Sequence, residues 1–517
     1  MSITAPDPGA ERRSMEKGFV GIDLGTSAVK LLLMDETGHI LKTVSKEYPI
    51  SFPKPGWSEQ NPYDWYEQSI AGMKELIAGF EDRIEGISFG GQMHGLVVLD
   101  SEDQVIRPAI LWNDGRTGEE CVYLNETVGR DVVSAETGNI AFAGFTAPKL
   151  LWMQKHEPEL FAKIGKIMLP KDYLAYRLTG VHATDASDAS GMLLYDVKNR
   201  KWSSKMCELC GIREEQLAKV FESYEVIGTV KKETAAELGI RKDVRVIAGA
   251  GDNAAAAIGT GTVGDGDCNI SLGTSGTIFI AADHFSVDDK NALHSFAHAT
   301  GAWHLMGCML SAASCNKWWM EDILKDPDMA AAQKEICIGR TGKDGEGGSC
   351  GALGRNHVYF LPYLMGERSP HNDPEARGAF IGMSMDTTRA DLLQSVLEGV
   401  AFGLRDSLEV ARSSGLKIEK TKICGGGAKS PLWRKMIANI MNLTVETIES
   451  EEGPALGGAL LAAVGCGVFR DTKEAAAAVV KVTGQEVPDP ALVTLYEERY
   501  QTFRKLYPAL KDVYKEL

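Results

Sequence analysis

GIDLGTSAVKLLLMD, from Gly21 to Asp35, and CNISLGTSGTIFIAAD, from Cys268 to Asp283, set the same four letters, LGTS, between two apolar runs. In each, a strand-forming run leads into Gly-Thr-Ser and another leads out, the signature of a β-hairpin with a tight turn. One copy alone is an ordinary hairpin. Two copies half a chain apart, at equivalent places in two halves, point to a pair of related domains that face each other. Such a turn suits an anionic ligand, because Gly25 and Gly273 let the backbone approach closely while successive N–H groups and the Thr and Ser hydroxyls converge on oxygens. Two of them can grip one triphosphate from both sides, which makes Gly25, Thr26, Gly273 and Thr274 candidate phosphate ligands.

Around the hairpins, strand-like IEGISFGG (84–91) and VRVIAG (244–249) alternate with the helical pattern of PYDWYEQSIAGMKELIAGF (62–80). The second half repeats the alternation, with a long helix expected over 388–414 before strand-like TKICGGG (421–427). This is the pattern of an α/β protein. At 517 residues and 44% hydrophobic content the chain exceeds what one core serves, so two domains are expected, 18–258 and 259–517, after a polar, disordered tail over 1–17.

A formal net charge of -16 repels both a phosphodiester backbone and an anionic lipid surface, so neither nucleic acid nor membrane is an expected partner. No apolar run reaches the length of a membrane span. The ten cysteines show no stapling pattern and read as reduced thiols of a cytoplasmic protein, and the lone CxxC of Cys207 and Cys210 reads as an incidental pair on a helix. A homodimer is the base-rate expectation for assembly.

In GAGDNAAAAIG (249–259), Asp252 follows a strand and opens an Ala-rich helix, whose N-terminus favours the carboxylate anion and leaves it able to accept a proton near pH 7. Asn253 beside it is placed to hold a sugar hydroxyl. The plainer reading is that Asp252 is an N-cap. Gly249, Gly251 and Ala254 also fit G-x-G-x-x-A, which would make the chain a dinucleotide oxidoreductase; the mid-chain location and a carboxylate inside the loop argue against that. GGGAKS (425–430) is not a P-loop, since Ala428 and Ile423 stand where glycines are required. Asp23 in the first hairpin suits a magnesium ion held through water. His94, in FGGQMHGLVVLD (89–100), is expected to emerge at a strand end, and Asn113 and Asp114, in LWNDGRT (111–117), are groups that read sugar hydroxyls, unless Arg116 pairs with Asp114. His294 and His298 have i, i+4 helical spacing but lack an HExxH frame, so no metal site is expected there.

GFTAPKLLWMQKH (144–156) and GAFIGMSMDTTRADLLQSVLE (378–398) fit two long signatures, and with GQMHG, LWNDGRT, PKDYL, DASDASG, GDNAA, SLGTSG and YLMGERSPHNDPEARG in order the chain resembles the FGGY carbohydrate kinases, from Phe19 to about residue 513. The resemblance implies two RNase H-like domains of the actin, hexokinase and Hsp70 ATPase type around a central cleft. It implies ATP and magnesium as cofactors and a small open-chain sugar as acceptor, D-xylulose first, with ribulose, glycerol or a related polyol as alternatives. It assigns Asp252 as general base, Asp23 as an acidic residue needed for activity, and Met93 and His94 as sugar contacts. Gly425, Gly426 and Gly427 become the adenosine-binding turn, and EEGPALGGALLA (451–462) the helix closing the nucleotide site. The tail before Lys17 and the stretch 326–349 match loosely. An ATP-driven clamp acting on a protein partner shares this architecture; the polar GQMHG and LWNDGRT strings favour a small-molecule acceptor instead.

Overall fold

The computed structural model describes residues 16–326, 328–338, 352–450 and 452–517. Most of the expected tail, 1–17, and residues 339–349 of the loosely matched stretch lie outside them. Glu16 and Lys17, the first described residues, donate their amides to the Glu36 carboxylate.

The N-terminal half is built on β1 (Gly18–Leu24), β2 (Ala28–Asp35), β3 (Ile40–Glu47), β4 (Ile84–Gly91), β5 (Val226–Thr229) and β6 (Arg245–Ile247), in sheet order β3-β2-β1-β4-β6-β5. The C-terminal half is built on β7 (Cys268–Leu272), β8 (Gly276–Ala282), β9 (His294–Ala297), β10 (Trp303–Met309), β11 (Lys420–Cys424), β12 (Thr444–Ile448) and β13 (Val482–Glu486), in order β9-β10-β8-β7-β11-β12-β13. Leaving β9 aside, each sheet reads antiparallel, antiparallel, parallel, parallel, antiparallel across its strands. The duplication inferred from LGTS is therefore a duplication of topology. Both LGTS turns close the first hairpin of their sheet, as expected.

The central strands carry apolar residues on both faces because helices cover both. Phe19, Val20, Ile22, Leu24, Val29, Leu31, Leu32, Leu33 and Met34 are all fully buried. Helix α1 (Pro62–Leu76) covers one face of the first sheet, started by the Asn61 side chain, which accepts the Tyr63 amide, and by proline at its first position. A long insertion between β4 and β5 holds α2 (Thr146–His156), α3 (Pro170–Thr179) and the one-turn α4 (Ala186–Ala189). Its core, which includes Met93, Phe145 and Trp152, is shared with Phe296 of β9 in the C-terminal sheet.

Helices α5 (Asp252–Gly259), α6 (Arg389–Ser413) and α7 (Gly453–Gly465) follow. Helix α6 spans the expected 388–414 segment, and Thr388 with Asp391 forms a capping box at its start. Helix α7 is apolar all round because it is enclosed: it crosses β1 and β4 of the N-terminal sheet and packs on α5. The approach is so close that a Cβ on Gly21 would lie 1.9 Å from the Ala455 carbonyl oxygen, and one on Gly457 would lie 1.8 Å from that of Ala255. In return, Ala257 of α5 packs against Phe279 and Ala281 of β8 in the C-terminal sheet. Each half thus lends one helix to the other.

His294 and His298 are not on a helix: His294 lies in β9, paired opposite Met306, and His298 follows that strand. Their spacing coincides with a helical one, but pairing with β10 decides the local structure. Cys207 lies on the short helix Ser204–Leu209 and Cys210 is its C-cap; both are free and buried thiols.

Candidate active site

In a sheet of this topology the carboxyl ends of the parallel strands share one edge, where ligands bind. At that edge the N-terminal sheet presents Gly25 after β1, Met93 and His94 after β4, and Asp252 beyond β6; the C-terminal sheet presents Gly273 after β7 and Gly425 after β11. A cavity of about 280 Å³ joins the two halves, lined by Asp252, Asn253, Ser271, Thr277, Gly425 and Gly453 among others.

Both Gly-Thr turns are held the same way. Behind the first, Tyr48 Oη donates to the Gly25 carbonyl at 2.5 Å and Gln60 Nε2 to the Thr26 carbonyl at 2.6 Å. Behind the second, the Ala313 amide donates to the Gly273 carbonyl at 2.9 Å and Ser314 Oγ to the Thr274 carbonyl at 2.7 Å. A trans peptide points its N–H opposite the preceding C=O. Drawing back the carbonyls of Gly25, Thr26, Gly273 and Thr274 therefore turns the amides of Thr26, Ser27, Thr274 and Ser275 the other way. Gly425 has a φ of +88°, and a Cβ on it would lie 2.7 Å from the Leu272 carbonyl and 3.1 Å from the Gly273 amide, so only glycine lets this turn close on the second hairpin. Gly426 faces open space, while Gly427 packs on Trp433 and Leu272.

Asp252 is the first residue of α5, and the N-cap is Gly251. Its Oδ1 accepts the Asn253 amide at 2.7 Å and Asn253 Nδ2 at 2.9 Å, so Asn253 steadies the carboxylate and Oδ2 stays uncommitted. Burial lifts the Asp252 carboxyl to about 6, against the pull of those two bonds toward the anion. The amide at the helix start favours the anion, as expected, and loss of water outweighs it. Asp23 stands opposite Lys30 in the β1–β2 register. Its carboxyl is raised to about 7, first by burial and then by the charge of Asp252, with Lys30 opposing. Lys30 is itself paired with Glu452 at 2.6 Å.

His94 has a φ of +68°, a left-handed conformation that costs a non-glycine residue about 1 kcal/mol or more. Its backbone is clamped there: buried Lys149 Nζ and Thr146 Oγ1 donate to its carbonyl at 2.8 and 3.1 Å. Nδ1 meets the Gly191 carbonyl at 2.7 Å, which makes Nδ1 the protonated nitrogen and leaves Nε2 as an acceptor. Burial lowers the ring to about 3, so the imidazole is neutral at working pH. Met93 packs on Gly251, where a Cβ would lie 2.8 Å from Met93 Sδ.

Asn113 and Asp114 are not among the residues lining the cavity that joins the two halves. Asn113 is exposed and lines a shallow depression with Phe52, Trp57 and Ser58. Asp114 is buried and spent: Oδ1 accepts Arg116 Nε at 2.8 Å, and Oδ2 accepts Arg116 Nη2 at 2.7 Å and the Ser58 amide at 2.6 Å. Arg116 also lies 2.7 Å from Glu59 and over the rings of Trp57 and Trp152. The pairing of Arg116 with Asp114 is thus the outcome realised, and Asn113 keeps an exposed side chain. Asp114→Asn should lower thermal stability by about 2 kcal/mol while leaving the acceptor KM unchanged, because Glu59 still balances Arg116; a melting curve and an acceptor titration check both.

Sequence reasoning missed Trp112, whose indole N–H donates to Thr26 Oγ1 at 2.9 Å, and Lys149, which holds the His94 carbonyl. Lys30 could have been found, since a hairpin that pairs Leu24 with Val29 puts Asp23 opposite Lys30.

Two duplicated sheets with their ligand edges facing a common cleft make the RNase H-like architecture shared by actin and hexokinase. Residues 19–259 match the N-terminal domain of the FGGY family of carbohydrate kinases and residues 268–466 its C-terminal domain. The chain is 40% identical over 498 residues to the xylulose kinase of Escherichia coli strain K12, covering 95% of this chain and 99% of that protein. It is 37% identical over 501 residues to the xylulose kinase of Bacillus subtilis strain 168, covering 96% and 98%. The solved structure of a xyloylose kinase from Brucella ovis superposes with a TM-score of 0.89 at 39% identity, over 96% of this chain and all of that one (100%). The chain belongs to the FGGY family of carbohydrate kinases. It is therefore a sugar kinase with ATP as its phosphoryl donor. Among the described residues no helix is long and apolar enough to cross a membrane.

Proposed function

We propose that the chain transfers the γ-phosphoryl group of ATP to D-xylulose, giving D-xylulose 5-phosphate and ADP, with Asp252 as general base. The observation that carries this reading is the cavity that Asp252 shares with Ser271, Gly425 and Gly453, where a carboxylate with one free oxygen meets the second hairpin's strands and the glycine turn. The named xylulose kinases, similar over nearly their whole length, support the choice of acceptor.

In this reading the Gly425–Gly427 turn takes the nucleoside, and the outward amides of the two Gly-Thr turns take the phosphates. His94 Nε2 accepts a hydrogen bond from a sugar hydroxyl. Asp252 Oδ2 takes the proton of the attacking hydroxyl as its oxygen bonds to the γ-phosphorus and the bond to the ADP oxygen breaks, so no further reactant is needed. Asp23 suits a hydrated magnesium ion: it is an oxygen donor whose proton affinity is raised beside a second carboxylate, an environment that welcomes a divalent cation. Among the described residues no cluster of three or more ligating side chains forms a cage, so water and phosphate would complete such a site. When bound, the ion would neutralise phosphate charge; the protein's own part is to align the hydroxyl, exclude water and accept the proton.

Coupled ADP-release assays across D-xylulose, L-ribulose, D-ribulose and glycerol test the acceptor. D-Xylulose should lead in kcat/KM by about tenfold or more; a preference for glycerol or L-ribulose rejects it. The pH profile tests the base. With the Asp252 carboxyl at about 6, kcat/KM should fall as the pH drops through that value, since only the anion accepts a proton. A limb near pH 4 would mean that the titrating group is not this buried carboxylate.

A further inference from the structure

Behind Asp252 lies a buried cluster of one amine and three carboxylates that the proposed reaction does not use. Lys171 Nζ lies 2.7 Å from Asp172 Oδ1, 2.8 Å from Asp185 Oδ1 and 3.5 Å from Asp188 Oδ2. Both oxygens of Asp188 lack a hydrogen-bond partner among the described residues. Burial raises the carboxyls of Asp172 and Asp188 against the opposing pull of the Lys171 ammonium. Buried ion clusters are costly to desolvate and a weak source of stability, which directs attention to what this one holds.

Asp185 Oδ2 accepts three hydrogen bonds: the Ser187 amide at 2.8 Å, Ser187 Oγ at 2.5 Å and Ser223 Oγ at 2.7 Å. The first is an ordinary N-cap of α4; the others are not. A serine hydroxyl has one proton, and here the carboxylate takes it. The lone pairs of Ser187 Oγ are thereby presented to the Gly251 amide, which donates to it at 3.1 Å. Gly251 immediately precedes Asp252, pairs with Gly91 at the end of β4, and has Met93 against its other side. Lys171 in turn is packed under Gly91, where a Cβ would lie 2.7 Å from Lys171 Cβ. One connected set of contacts therefore fixes the strand end carrying Met93 and His94 relative to the turn carrying Asp252.

We propose that Asp185 and Ser187 are positioning residues that hold the Gly251 amide, and so aim the Asp252 carboxylate, with Lys171 as their counter-ion; this rests on the reading of Asp252 as the base. The test measures kcat, acceptor KM and the acid limb of kcat/KM for Ser187→Ala, alone and combined with Asp252→Asn. Ser187→Ala should lower kcat by roughly 10- to 100-fold, with KM within about threefold, because aim and not binding is lost. The acid limb should move to lower pH as a loosened Asp252 gains water, which a loss of folded protein alone would not do. In the Asp252→Asn background the same change should cost nothing more, since groups that act as a unit are not additive.

Wild-type kcat and an unmoved limb in Ser187→Ala, with Asp252→Asn still impaired, overturn the proposal and leave the base intact. A full further loss in the double variant also overturns it. Wild-type kcat in Asp252→Asn alone removes the base and this proposal together. Should Ser187→Ala fail to fold, Ser187→Cys, close in size with a weaker acceptor, takes the same measurements; a smaller fall in kcat is expected, and wild-type kcat sinks the idea.

Discussion

Asp252→Ala should lower kcat by about 10²-fold or more while the acceptor KM changes by no more than about threefold. The reasoning is geometric first. Among the described residues only one oxygen of Asp252 is engaged, by Asn253, and truncation removes the carboxylate without opening the fold, because Gly251 and not Asp252 caps α5. Acceptor affinity should survive, since the His94 ring and its clamp by Gly191, Thr146 and Lys149 are separate from Asp252. Steady-state kinetics with D-xylulose decide the matter, and a variant with normal turnover would move the proton acceptor to another group.

Gly457→Ala should destabilise the protein by about 3 kcal/mol or more, seen as a fall in Tm of roughly 3 °C or more. Two effects oppose each other. Alanine is favoured over glycine in a helix interior by about 1 kcal/mol. Against this, the new Cβ would sit 1.8 Å from the Ala255 carbonyl oxygen and 2.6 Å from its carbon, backbone atoms that no rotamer change can move. Relief requires α5 and α7 to separate by more than an ångström, which opens the enclosed alanine-rich seam they share and shifts Asp252 at the head of α5. Activity should therefore fall with stability. A raised Tm would show that the crossing tolerates more space than its contacts indicate.

The two LGTS turns were legible because a hairpin is a local object: apolar runs and a small turn specify it within fifteen residues. The shared topology followed from finding it twice, and Asp252 from a strand, a glycine pair and an alanine run in succession. What escaped was set by partners distant in sequence. Nothing in LWNDGRT tells whether Asp114 faces solvent or Arg116; the packing of Arg116 against Trp57 and Trp152 decides it. Tyr48 and Gln60, which draw back the carbonyls of the first turn, carry no periodic or spacing signal. The Lys171 cluster joins residues from α3 and α4 that only the folded insertion brings together. The helix start at Asp252 is visible in the sequence, whereas the lost hydration that outweighs its pull on the carboxylate depends on both halves enclosing the site.

The exchange of helices between the halves has a consequence for how the molecule can move and fail. Because α7 from the C-terminal half lines the N-terminal sheet and Ala257 of α5 rests on the C-terminal one, neither half can finish its own interior unaided. Severing the chain near residue 258 would strip each fragment of a wall, so melting of one half drags the other with it. The α5–α7 crossing lies between the two sheets with Asp252 at the head of α5, so a shift of one half against the other is felt at that carboxylate.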